Sequence, residues 1–206
     1  MASRYEPQLR LCVEGGKLIE ADKWGNVARH CFVQASATEE MATLLRLGAH
    51  ELTRLARTAA SHDWRKRLEK CRSDFTDEEI DRADRLCAEG GPDTELMRAL
   101  NPYFLPIFFS GAATMLQMVQ FYIDDITRDD EIVRFDDRIA DNEERDPNPE
   151  PEVDRILGRP YWDAERVVGH AVESLLFSIL KDFDVKLARS QDIPVLLASR
   201  MAARVR

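Results

Sequence analysis

The sequence is poor in the residues that mark disulfide-rich, disordered and membrane-spanning chains. Its four cysteines form no C-x-x-C pair, so a zinc ribbon or a redox motif has no support, and scattered cysteines are typical of reduced cytoplasmic proteins. Only 9 glycines and 9 prolines occur, which argues against a collagen-like or low-complexity chain. The longest apolar stretch, residues 108–123, is interrupted by Ser110, Gln117 and Gln120 and is too short and polar to span a bilayer. Residues 1–10 have no apolar signal core, so a cytoplasmic location is expected.

Positive charge is also scarce, because the formal net charge is −9. A broad basic surface for a nucleic-acid polymer is therefore not expected, and no membrane partner is expected either. Hydrophobic residues make up 44% and charged residues 33% of the chain, which is enough apolar material for one sizeable core under a well-solvated surface.

The apolar residues recur at helical spacing along nearly the whole chain, with no internal repeat and no sustained strand-like alternation. Helices are predicted at about 24–47 and 49–60, with Gly48 as the stop of the first. Thr76 and Glu79 form a capping box that predicts the start of a third helix. The sequence therefore predicts an all-α protein.

The second half of the chain is predicted to contain a buried helix and a long amphipathic helix. Two prolines at 101–106 predict a loop or a broken turn, and apolar residues on almost every face from about 111 to 126 predict a buried helix. Residues 141–155 are acidic and proline-rich, which predicts a surface loop. Asp163 is predicted to cap the long helix, and residues 193–205 are predicted to form a last one. The apolar stripe of the long helix is predicted to contain Val167, Val168, Ala171, Leu175, Leu176, Ile179, Leu180 and Phe183.

Histidine is rare enough for each position to be informative, since only four occur. His62 is followed directly by Asp63, and His30 lies in an earlier predicted helix. His50 and His170 have no acidic neighbour in a comparable context and are interpreted as structural residues. His30, His62 and Asp63 are therefore the first candidates for a functional site.

These residue types suit a metal site. The His62-Asp63 dipeptide at the start of a helical segment can direct an imidazole and a carboxylate to one point. His30 from an earlier helix, with Asp124 or Asp125 from a later one, can complete the set. Two nitrogens and two carboxylate oxygens leave positions of a six-coordinate ion open for water and a phosphate oxygen.

The ordered pattern H…HD…D, formed here by His30, His62-Asp63 and Asp124, resembles the HD-domain superfamily of metal-dependent phosphohydrolases. His30 lies in H-C-F-V-Q-A, which is similar to the family's H-S-apolar-x-x-A turn. The family places an apolar residue two positions after the last ligand, and Ile126 fits this if Asp124 is the ligand. The resemblance implies an HD-domain-like helical bundle with an additional long C-terminal helix.

On this resemblance, residues 1–206 form one domain, with a motif core at about 24–140 and C-terminal helices at about 162–205. Two-metal members of the superfamily have extra histidines between the HD pair and the last aspartate, and none occurs here, which favours a single metal ion. Mixed nitrogen and carboxylate ligands suit Mn, Fe, Co, Ni or Zn. The expected partner is a small phosphorylated substrate; the oligomeric state is left open, with a homodimer allowed.

The resemblance also implies roles at the site. The metal ligands are His30, His62, Asp63 and Asp124, with Asp63 and Lys66 as catalytic residues. Lys66 lies one helical turn after His62 and is predicted to bind the substrate phosphate, and Arg138 is a second candidate for that contact. Other members have a glutamate at the Lys66 position that can serve as general acid, so the proton donor is not identified. Two alternatives stay open: a non-catalytic module that senses nucleotides or binds a partner, and a helical protein in which the motif is a coincidence.

Overall fold

The computed structural model describes residues 27–64 and 75–204, which are mostly α-helical and include one short β-hairpin. The all-α class predicted from the apolar spacing is therefore confirmed. The elements in chain order are α1 Val27–Leu44, α2 Ala49–Ser61, α3 Asp77–Gly90, α4 Thr94–Met97, a 3-10 turn Arg98–Leu100, α5 Phe104–Phe109, α6 Met115–Asp125, β1 Thr127–Arg128, β2 Glu131–Ile132, α7 Phe135–Arg145, α8 Pro151–Leu157, α9 Tyr161–Asp182, a 3-10 turn Ser190–Asp192 and α10 Ile193–Arg204.

The turn between α1 and α2 differs from the prediction that Gly48 ends the first helix. The residue with left-handed backbone is Arg46, at φ 55°. The Leu47 N–H donates to the Ala42 carbonyl (2.9 Å) and the Arg46 N–H to the Thr43 carbonyl (3.1 Å), which is the hydrogen-bond pattern of a Schellman motif. Gly48 instead precedes α2, where its N–H donates to the Glu51 carboxylate (2.9 Å).

The capping box predicted at Thr76 is confirmed. The Thr76 hydroxyl accepts a hydrogen bond from the Glu79 N–H (3.3 Å), and the Glu79 carboxylate accepts one from the Thr76 N–H (2.9 Å). These bonds satisfy two backbone donors at the start of α3, which runs to Gly90.

The central helix α6 packs against α1, α2, α7 and α9. It begins at Met115, four residues later than predicted, because Gly111 has a left-handed backbone at φ 75° and Thr114 is the N-cap. Its C-terminal half is buried, as predicted, and ends at Asp124 and Asp125.

The connections on either side of α6 contain structure that the sequence pattern did not reveal. The predicted loop at 101–106 is helical from Phe104, because Pro106 lies in the first turn of α5, where its missing N–H costs little. After α6, Thr127 pairs with Ile132 in an antiparallel hairpin. Strands of two residues are too short to give a recognisable alternation.

The acidic segment 141–155 is mostly helical, so the prediction of a loop there is wrong. Residues 141–145 continue α7, and Pro151 begins α8 at a position where proline is favoured. Acidic composition therefore did not prevent helix formation, since α7 buries Phe135 and Ile139 and α8 buries Val153.

The long helix α9 begins at Tyr161 after Pro160, so Asp163 lies in its first turn and is not the N-cap. The predicted stripe is also rotated: Val167 and Leu175 are exposed by 46% and 38%. The face that packs inward contains two carboxylates among apolar residues, and it consists of Trp162, Ala164, Glu165, Val168, Gly169, Val172, Glu173, Leu176 and Leu180.

One large apolar core is shared by α1, α2, α6, α7, α9 and α10. A smaller cluster joins Val27 and Cys31 of α1 to Trp64 and to Ala83 of α3. None of the helices in the described ranges is long and apolar enough to cross a membrane.

Candidate metal centre

Three of the predicted ligands meet at one point between α1, the end of α2 and the end of α6. The Nε2 atom of His62 lies 3.4 Å from the Asp124 Oδ1 atom, and the Nε2 atom of His30 lies 3.9 Å from it. One donor atom from each of the three residues lies within 4.8 Å of the other two. Residues far apart in the chain therefore form a compact donor set.

These spacings fit a single cation. Ligand atoms bound at about 2.0–2.2 Å from one ion lie about 3.0 Å apart at right angles and about 4.2 Å apart when opposite. The distances of 3.4 and 3.9 Å lie inside that interval. The set of two imidazoles and one carboxylate is a common one for transition metals.

Alanines allow α1 and α2 to approach closely enough for the two histidines to meet. Ala35 of α1 packs against Ala56, Ala59 and Ala60 of α2, and all four are fully buried. With no larger side chain between the helices, the rings of His30 and His62 lie 5.4 Å apart between centroids.

His62 is oriented by its own helix. It follows the last residue of α2, so the HD dipeptide lies at the end of a helix and not at the start of one, as was predicted. Its Nδ1 atom lies 2.9 Å from the Ala59 carbonyl, one of the carbonyls of the last turn. When Nδ1–H donates to this carbonyl, the lone pair of Nε2 faces Asp124.

His30 is oriented by the β-hairpin. Its Nδ1 atom lies 2.8 Å from the backbone carbonyl of Asp129, a turn residue with φ 53°. Aspartate is one of the few residues that tolerate this left-handed conformation. A ligating histidine usually donates its second ring N–H to a carbonyl or a carboxylate, and both histidines have such a partner here. Sequence reasoning could not find the Asp129 carbonyl, because a backbone acceptor has no residue signature.

The other three predicted site residues are Asp63, Lys66 and Arg138. Asp63 Oδ1 lies 3.6 Å from His62 Nε2, but Asp63 is not within the compact group of three. Lys66 lies outside the described residues. Arg138 on α7 lines a surface depression with Arg128 and Asp141, and its proposed phosphate contact stays a prediction.

Asp124 and Asp125 diverge at the end of α6. The Asp124 carboxylate faces the two histidines, whereas Asp125 interacts with Glu165 on α9. Burial raises the pKa of both Asp125 and Glu165, so this pair favours a shared proton over two charges. The structure thus places Asp124, the residue favoured by the sequence pattern, in the donor set.

The electrostatics of the centre favour a positive charge. Burial opposes protonation of His62, yet the Cys31 sulfur, Asp63 and Asp124 together hold its pKa well above the ordinary value. Burial by itself raises the pKa of Asp124. The hydrogen bond to His62 and the charge of that ring lower the pKa by more, so the pKa of Asp124 lies below its usual range. Either a proton on His62 or a metal cation bound beside it places a positive charge next to the carboxylates of Asp63 and Asp124.

Gln34 is a fourth polar group at the centre that the sequence interpretation missed. Its amide Nε2 lies 3.2 Å from His30 Nε2 and also donates to Asp124 Oδ1. Its Oε1 atom is buried and has no hydrogen-bond partner within the described ranges. Rotation of the amide by half a turn directs that oxygen to the same point, so the side chain also fits a cation. The available signal was its position one helical turn after His30.

His50 and His170 lie away from the three-residue group, in agreement with their interpretation as structural residues. His50 is exposed at the start of α2. His170 on α9 pairs with Asp136 at 3.0 Å, and its ring contacts Phe135 edge-on.

Comparison with known proteins adds no assignment, because no family model, no curated protein and no solved structure matches this chain.

Proposed function

We propose that this protein is a metal-dependent phosphohydrolase of the HD-domain type, which cleaves a phosphate ester of a nucleotide or of another small phosphorylated metabolite. The observation that carries the proposal is the convergence of His30 Nε2, His62 Nε2 and Asp124 Oδ1. Both histidines have Nδ1 at a backbone carbonyl, an arrangement that is common for metal-ligating histidines.

The residues that would hold the ion are His30, His62 and Asp124, with Asp63 as the fourth ligand implied by the resemblance. A divalent cation bound there supplies a Lewis acid for a phosphoryl oxygen and lowers the pKa of a water molecule. The donor set suits Mn, Fe, Co, Ni or Zn better than Mg, which disfavours imidazole.

The remaining chemistry belongs to side chains near the centre. Asp63 lies 3.6 Å from His62 Nε2, where its carboxylate can accept a hydrogen bond from the attacking water and orient it toward phosphorus. Lys66 and Arg138 remain the candidates for contacts to the phosphate oxygens, where positive charge stabilises the transition state. Asp63 therefore acts on the water, and the positively charged side chains of Lys66 and Arg138 act on the phosphoryl group.

A turnover screen tests the proposal. The purified protein is supplied with Mn²⁺, Co²⁺ or Ni²⁺ and assayed for phosphate release from a panel of nucleotides and sugar phosphates. His62→Ala, Asp124→Asn and Asp63→Ala are expected to lose at least a hundredfold in kcat/KM, because each removes a proposed ligand. His170→Ala is the matched control, since this histidine also has a carboxylate partner but lies outside the donor set.

Each outcome of the screen has a distinct meaning. Loss of turnover in the three site variants, with wild-type rates in the control, supports the hydrolase. Tight nucleotide binding without turnover favours a sensing module over an enzyme. Turnover that persists in Asp124→Asn and His62→Ala contradicts the proposed centre.

A further inference from the structure

Gln34 of α1 is fully buried and contacts two of the three donor atoms of the candidate centre. Its amide Nε2 lies 3.2 Å from His30 Nε2 and donates a hydrogen bond to Asp124 Oδ1. When the Nδ1–H of His30 donates to the Asp129 carbonyl, the lone pair of Nε2 can accept from the amide. The NH₂ group therefore interacts with the same two atoms that a cation between His30 and Asp124 would contact.

The oxygen of the same amide is the atom that lacks a partner. Gln34 Oε1 is buried and accepts no hydrogen bond from the part of the chain that the structure describes. A half-turn about the last side-chain bond exchanges the amide oxygen and nitrogen, so Oε1 would then face His30 and Asp124. Without an ion, that orientation brings three atoms with lone pairs together and provides no donor. The half-turn is therefore favourable only when a cation is bound.

The position of the amide fits a further ligand of the same ion. Two ligand atoms bound at about 2.0–2.2 Å from an ion lie about 3.0 Å apart when they are at right angles. The separation of 3.2 Å between the Gln34 amide and His30 Nε2 is close to that value. Gln34 lies one helical turn after His30, so both side chains extend from the same face of α1 toward the centre.

We propose that Gln34 binds the metal ion through Oε1 and selects which ion the centre holds. The inference rests on the metal centre of the proposed phosphohydrolase, and it adds a residue that the H…HD…D pattern does not contain. A neutral amide oxygen is a hard donor and raises the number of protein ligands, which suits Mn²⁺ with five or six ligands. Zn²⁺ is usually bound by four ligands and prefers nitrogen and sulfur, so it gains less from this oxygen.

Metal affinity measured without any substrate tests the proposal. The wild type and three variants are titrated with Mn²⁺ and, separately, with Zn²⁺ in a calorimeter. Gln34→Leu removes the amide and keeps a buried side chain, whereas Gln34→Glu keeps an oxygen at this place but cannot donate to Asp124. Gln120→Leu is the matched control, because Gln120 is also fully buried and its amide has no hydrogen-bond partner within the described ranges.

The two substitutions of Gln34 separate a ligand from a hydrogen-bond donor. We expect Gln34→Leu to weaken Mn²⁺ binding by about tenfold or more and Zn²⁺ binding by a smaller factor, so that the preference moves toward zinc. Gln34→Glu should bind Mn²⁺ at least as tightly as the wild type, because a carboxylate oxygen replaces the amide oxygen. An amide that only orients Asp124 would instead be lost equally in both variants. Gln120→Leu should have wild-type affinities, and thermal unfolding confirms that each variant is folded.

Three results would overturn the inference: no binding of either ion by the wild type, equal losses for Mn²⁺ and Zn²⁺ in Gln34→Leu, or a loss of Mn²⁺ affinity in Gln34→Glu as large as in Gln34→Leu. A loss of the same size in Gln120→Leu would also contradict it. Turnover with an unchanged ion preference in Gln34→Leu leaves the phosphohydrolase standing and removes Gln34 as a ligand. A changed preference in a protein without turnover removes the phosphohydrolase and leaves the ligand.

Discussion

Replacement of Glu165 by glutamine should make the protein more stable at neutral pH and have little effect at acidic pH. Glu165 is 4% exposed, and burial raises its pKa from 4.5 to about 7. The pKa of Glu165 is higher in the folded state than its value of 4.5 in the unfolded chain. Its contribution to the free energy of unfolding is therefore fully present below pH 4.5 and is lost as the pH rises through about 7.

The magnitude follows from the two pKa values. At about 1.4 kcal/mol per pKa unit, ionisation of Glu165 costs the folded state about 3 kcal/mol above neutral pH. Glutamine has nearly the same shape, carries no charge and can donate to Asp125, so the variant avoids most of this cost. At about 2–4 °C per kcal/mol for a chain of this size, the variant should melt about 10 °C above the wild type at pH 8.

Urea and thermal unfolding at pH 4.5 and pH 8 measure this effect. The stability difference between Glu165→Gln and the wild type should grow by up to about 3 kcal/mol between the two pH values. Glu173→Gln should show no such gain, because its carboxylate already accepts hydrogen bonds from Tyr122 and Ser190. A stability difference for Glu165→Gln that is independent of pH would refute the assignment of Glu165 as a buried carboxyl group with a raised pKa.

Three further predictions test packing and electrostatics elsewhere. Gly169→Ala should lower the free energy of unfolding by about 1–3 kcal/mol, because the new Cβ would lie 1.9 Å from the Phe135 ring; a second substitution, Phe135→Leu, should recover part of that loss in a double-mutant cycle. Tyr122→Phe should cost about 1–3 kcal/mol in the same assay, because it removes a 2.8 Å hydrogen bond to buried Glu173. Affinity for Mn²⁺, measured by calorimetry, should rise about tenfold per pH unit while His62 is protonated, because the ion displaces that proton; pH-independent affinity would contradict this.

The helices were largely predictable because their local signals agree with their tertiary roles. The Thr76 capping box and the apolar spacing of α2 and α6 predicted real helices. The errors arose where tertiary packing overrode composition. Residues 141–155 look like a loop by charge, yet Phe135, Ile139 and Val153 anchor two helices there.

The candidate centre was predictable only in part. His30, His62 and Asp124 could be chosen because rare histidines stand in an ordered pattern with aspartates. Glu165 was missed because its partner Asp125 is distant in the chain and because the predicted stripe of α9 was rotated. Glu165 lies one helical turn from both Trp162 and Val168, so the three side chains share one face of α9. This spacing would have indicated that Glu165 is buried, but only once Trp162 and Val168 were known to be buried.

The most direct test of the account is anomalous diffraction from crystals grown without chelators and soaked in Mn²⁺ or Co²⁺. We predict one anomalous peak per chain, at about 2.0–2.2 Å from His30 Nε2, His62 Nε2 and an Asp124 carboxylate oxygen. The peak should be absent in Asp124→Asn and His62→Ala crystals and unchanged in His170→Ala. No peak at this point in the wild type, or a peak bound elsewhere, would contradict the proposed metal centre.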